Sequence, residues 1–194
     1  MWMYILTILS AVMLFGFMGI GVKKYGLLSC YSAYGPLWDK WHPKLNIWSV
    51  ITFISAALMV PALLEVSVFS AWQFLGFLAP VSLFWVAASP NYQTDKFANI
   101  MHQCGAWGAV VAAISYIVII SQLWGITLIW WIVAGLALAA VVLGLVFKGT
   151  LMLWGEIAVY SSIYSSMLIT ITKYLEYINP QMLSAVTKFL ENIC

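Results

Sequence analysis

An all-α integral membrane protein is the fold class this sequence predicts, and three observations predict it. Of the 194 residues, 64% are hydrophobic and only 7% are charged. A soluble globular domain carries about 25% charged and about 45–50% apolar residues, and one of this length has too little interior to hide so much apolar surface. The charged side chains, eight lysines and six acidic residues, leave stretches 1–22, 45–64, 66–94 and 97–147 with none at all. Those stretches are continuous apolar runs and not alternating strands of about ten residues, so they favour helices over a barrel.

A helix needs about 20 apolar residues to cross a hydrocarbon core roughly 30 Å thick. The first run predicts a span at 2–22. Residues 45–94 hold two more, 47–65 and 70–89, joined between Glu65 and Ser70. The run 97–147 is long enough for 102–121 and 127–147, broken at Gln122-Leu123-Trp124-Gly125, and a last span follows at 151–172. Residues 1–172 are therefore expected to form a bundle of six transmembrane helices, with kinks at Pro61 and Pro80. In the tail, 173–194, Met182, Leu183, Val186, Phe189, Leu190 and Ile193 recur at helical spacing after Asn179-Pro180-Gln181. This predicts a C-terminal amphipathic helix lying on the membrane or against the bundle.

The lysines set the expected orientation. Lys23, Lys24, Lys40 and Lys44 lie between spans 1 and 2, Lys96 after span 3 and Lys148 after span 5. The positive-inside rule places these loops, the first, third and fifth, in the cytoplasm and both termini outside. Lys173 and Lys188 in the tail oppose that placement. The N-terminal run lacks a preceding basic region and is expected to persist as the first helix, not to be cleaved as a signal peptide.

Composition also narrows the partners. There is no arginine, the usual bidentate phosphate ligand, and no basic cluster beyond Lys23-Lys24, so nucleic acid is not an expected partner. Membrane lipids are, together with a second copy of the chain or another membrane protein. Cys30, Cys104 and Cys194 form neither a disulfide framework nor a C-x-x-C pair, and no metal or other cofactor is expected.

Ionisable residues inside a membrane are costly and point to candidate sites. Glu156 lies about 8 Å into span 6, with Tyr160 and Tyr164 following on the same broad face. As polar glue to a neighbouring helix it needs no function, and the two readings weigh equally. His102 opens span 4 above Ala106, Ala109 and Ala113, a small-residue side that turns it inward, where a hydrogen-bonded structural histidine is the commoner case. In loop 1, Ser29, Ser32, Asp39 and His42 are further candidates against the plainer reading of a solvated Gly/Pro-punctuated loop. Under the expected topology Ser29, Tyr31, Ser32, Asp39, His42, Asn91, Asp95, His102 and Glu156 fall in the cytoplasmic half. A one-sided polar cluster suits a site for a lipid headgroup or small apolar molecule better than a continuous transport path.

The runs Pro61-Ala62-Leu63-Leu64-Glu65, Phe74-Leu75-Gly76-Phe77-Leu78, Ala88-Ser89-Pro90-Asn91-Tyr92 and His102-Gln103-Cys104-Gly105-Ala106 resemble a group of small uncharacterised bacterial and phage polytopic membrane proteins. The serine- and tyrosine-containing segment Ser29 to Tyr34 and the Glu156, Tyr160, Tyr164 pattern resemble theirs too. The resemblance covers about residues 27–165 and implies a bacterial inner membrane, or a host membrane for a phage-encoded copy, with no assigned activity. More remotely, the serine motif and His102 resemble DRAM-type six-helix proteins and CREST-type membrane hydrolases. The latter hold zinc with three histidines, whereas this chain has His42 and His102 alone. The expected function is ligand or partner binding at the cytoplasmic-side cluster. An intramembrane hydrolase using Glu156 and His102 is the alternative, and a small transporter or channel subunit ranks third.

Overall fold

Apolar continuity, interrupted by glycine and polar turns, divides the chain into seven α-helices among the residues that the computed structural model describes: 1–39 and 46–191, without the side chains of 39 and 181–191. Helix α1, Trp2–Tyr25, stops where Gly26 takes φ +77, a left-handed conformation that costs a side-chain-bearing residue energy. Its N–H bonds the Val22 carbonyl at 2.8 Å and closes the last turn. A single 3₁₀ turn, Tyr31–Tyr34, and the short α2, Gly35–Asp39, fill the first loop. Then come α3 (Ile47–Val66), α4 (Phe74–Ala87), α5 (Lys96–Leu123), α6 (Leu128–Val146) and α7 (Leu151–Glu191).

The boundaries follow local chemistry more than charge gaps. Helix α5 begins six residues before the expected span, because Asp95 caps it: its carboxylate accepts the Ala98 N–H at 2.9 Å. His102 therefore sits almost two turns inside the helix. Helix α7 runs through the expected break at Asn179-Pro180-Gln181 to Glu191. A proline here forgoes one hydrogen bond to the preceding turn, and helix continues on both sides of it. Pro61 and Pro80 likewise lie inside α3 and α4.

Four helices are long and apolar enough to cross a membrane: α1, α3, α5 and α6. Helix α4 is apolar but has only 14 residues, about 21 Å at 1.5 Å per residue. Helix α7 is long, but Glu156, its serines and its tyrosines dilute its hydropathy.

Side-chain contacts give the helix directions. Tyr4 of α1 bonds Thr172 of α7 at 2.8 Å, and Ser10 bonds Tyr164 at 2.7 Å, so rising numbers on one helix meet falling numbers on the other. The Tyr116 hydroxyl reaches the Leu63 carbonyl at 2.5 Å while Trp48 stacks on His102, so α3 and α5 run together. Helix α4 runs against them, with Ser82 at Gly105 and Gly76 at Tyr116. The Cβ that Gly105 lacks would stand 2.7 Å from the Ser82 carbonyl oxygen, so this contact admits only glycine. The main core gathers α1, α3, α5, α7 and the first loop around Leu14, Tyr31, Tyr34, Tyr116, Met167 and Ile171. Helix α6 packs on the outside of α7 and buries only Ile129, Ala140 and Gly144.

Candidate functional site

Helices α1, α3, α4, α5 and α7, with the 3₁₀ turn of loop 1, line a partly open cavity of about 100 Å³. Its lining on α5 runs from His102 through Ala106 and Ala109 to Ala113, a rise of about 16 Å along the helix. At one end stand Glu156, Tyr160, Tyr31, Ser32 and His102; at the other, Leu63, Ala79, Ala113 and Ile163. So small a volume over so long a wall makes the cavity narrow. Alanines on α5 create it, since each leaves room that a larger side chain would fill.

Loop 1 closes the polar end. Tyr31 and Tyr34 are fully buried, which a solvated loop would not allow. The Tyr34 ring lies against Gly21 of α1, its hydroxyl donates to the Gly26 carbonyl at 2.8 Å and accepts the Leu28 N–H at 3.2 Å. Burial raises both phenols above their ordinary pKa, so each stays a neutral donor. The strap is pinned to α7 at two points. The Ser29 carbonyl accepts the Leu153 N–H at 2.9 Å, satisfying an otherwise orphan donor of the helix start. The Tyr31 N–H donates to Glu156 Oε2 at 2.6 Å. The Tyr31 hydroxyl meets Thr52 Oγ1 at 3.3 Å, and its ring meets those of Phe17, Trp48 and Tyr160 at 5.9–6.3 Å.

Three polar groups at this end are left over. Glu156 Oε1 and the Tyr160 hydroxyl have no hydrogen-bond partner among the described residues, and both side chains line the cavity. His102 is 7% exposed and is held between Tyr92, stacked at 4.0 Å and 14°, and Trp48 at 6.0 Å. Its Nδ1 has no partner either. Tyr164 is engaged, since its hydroxyl meets Ser10 Oγ, which also donates to the Ser55 carbonyl at 2.7 Å.

The structure thus brings Glu156, His102, Tyr160, Tyr164 and Ser32 to one cavity. Ser29 is exposed outside it; its carbonyl holds the Leu153 N–H and its hydroxyl donates to Cys30 Sγ at 3.9 Å. The Asp39 side chain and all of His42 lie outside the described residues. Cys104 is exposed, away from the inward face of His102. Among the described residues no three His, Cys, Asp or Glu side chains gather as metal ligands. Glu65, read from the sequence as a boundary marker, accepts a hydrogen bond from the Tyr174 hydroxyl.

Sequence reasoning placed Tyr31 in the polar cluster but missed Trp48, Tyr92, Ser10 and Ser55. A signal existed for the two serines: Thr7 with Ser10 and Thr52 with Ser55 are i, i+3 pairs inside apolar runs, each marking one inward face. No signal marked the ring contacts, which join distant segments. No protein-family model, curated protein or solved structure matches the chain, so its site is read from geometry.

Proposed function

We propose that this protein binds a single-chain amphiphile from the membrane, its head at the Glu156 end of the cavity and its tail toward Leu63 and Ala113. One observation carries the reading: a narrow cavity of about 100 Å³ with an unsaturated polar end and a far end of apolar side chains and the already bonded Tyr164. A bound molecule with a polar head and one slender tail satisfies both ends of so narrow a space. The bonding does not favour a hydrolase, because among the described residues His102 bonds no serine or carboxylate and no nucleophile is activated.

The reading includes six crossings, with α4 and the first half of α7 joining the four longer helices. The alternating helix directions support it, as does the turn before α4, where Gln73, Leu75 and Gly76 donate to carbonyls three residues back and prolong the helical run. Loops 1, 3 and 5 then lie on the cytoplasmic side with the polar end of the cavity.

Native mass spectrometry of wild type beside Ala109→Phe tests the binding. We expect the wild type to retain a species lighter than a two-chain phospholipid and the filled variant to lose it. Equal loading, or equal emptiness with both folded, contradicts the proposal.

A further inference from the structure

Resting on the amphiphile reading, we propose that the molecule the cavity takes is a cation, a primary alkylammonium or an amphiphile with an equivalent amine head. Three observations meet at one end of the cavity. Among the described residues no lysine contributes to its lining, and the chain has no arginine, the usual partner of a phosphate or carboxylate head. Glu156 is a carboxylate without a counter-ion: none of the ion pairs among the described residues includes it, and one backbone N–H on Oε2 is its only bond. Its Oε1 is open.

Two tyrosine rings share that end of the cavity. Tyr160 stands one turn further along α7, edge-on to Tyr31 at 6.2 Å, and both rings line the cavity. Ring faces attract an ammonium, and most strongly where water is excluded. The free Tyr160 hydroxyl accepts one ammonium N–H while Oε1 accepts another, so a primary amine satisfies these two of the three leftover groups at once. A hydroxyl head supplies a single donor and no charge, and a carboxylate head repels Glu156 across a low-dielectric gap. The tail lies against Ala106, Ala109 and Ala113.

A chain-matched series separates the charge from the cavity: dodecylammonium, dodecanol and dodecanoate, each titrated near neutral pH against the full chain in phosphatidylcholine nanodiscs, with empty nanodiscs subtracted. We expect dodecylammonium to bind about tenfold or more tighter than either of the others. Glu156→Gln should bring it down to the level of dodecanol and leave dodecanol unchanged, and Ala109→Phe should remove all three. If the wild type holds the three equally and Ala109→Phe still releases them, the cation assignment is overturned while the amphiphile reading stands. If Ala109→Phe releases none of them, the cavity is not the binding place and both fall. The wild-type series alone decides the charge preference, so a poorly folding Glu156→Gln does not block the test.

Discussion

Glu156 is bonded through one oxygen, and what replaces it determines what is lost. In Glu156→Gln the amide oxygen still accepts the Tyr31 N–H, so stability should fall by less than about 1 kcal/mol. In Glu156→Ala that buried N–H loses its partner, and the loss should reach about 1–3 kcal/mol. Chemical denaturation in mixed micelles, compared across the pair, checks the difference; equal losses would mean that the strap is not held through this bond. Tyr34→Phe removes two bonds and no packing, so it should cost about 1 kcal/mol and speed hydrogen exchange at Leu28 N–H. Unchanged exchange there would contradict the anchoring described. At this scale Glu156, Tyr160 and Tyr164 are legible in the sequence because a carboxylate in an apolar run has a known cost and the i+4 spacing places its neighbours. The burial of Tyr31 is not, since it depends on α1, α3 and α7 arriving around a loop that looks solvated by composition.

Among the elements, α4 and α5 meet through Gly105, and the contact tolerates no side chain. Gly105→Leu should therefore overpack it and cost about 1–3 kcal/mol. Gly135→Leu on α6, where nothing stands within 4 Å, should cost nothing measurable. Thermal unfolding of the two variants distinguishes close packing from a general intolerance of bulk, which would lower both. The existence of these helices is legible because a charge-free run of about twenty residues matches the thickness of a hydrocarbon core. Their ends are less so. Polarity alone starts the fourth span at His102, but the Asp95 cap begins the helix earlier, at Lys96. A proline after Asn179 reads as a break before the tail, yet the backbone of α7 continues, because one missing hydrogen bond does not stop a helix already formed.

For the whole molecule, alternating helix directions give a topology that labelling can test. Single cysteines at Ser70 and Asn91, placed in a background with the native cysteines replaced by serine, should react with a membrane-impermeant maleimide from opposite sides of oriented vesicles. Reaction from the same side would mean that α4 does not cross. The division into an inward face and a lipid-facing remainder also accounts for the exposed Trp107, Val111 and Leu138, at 61–66% exposure, which a membrane would cover. The membrane class follows from composition alone. The cavity does not, because a void is the difference between where backbones stand and how far side chains reach, and no single run of residues records it.

The most direct test of the amphiphile site is photo-crosslinking with a long-chain amine carrying a diazirine in its tail, followed by peptide mass spectrometry of the labelled protein. Occupation of the cavity predicts label concentrated on Met59, Ala106, Val110 and Ile163, and suppressed by excess unlabelled amine. Label confined to the outer residues Trp107, Val111 and Leu138, and unaffected by competitor, would contradict it.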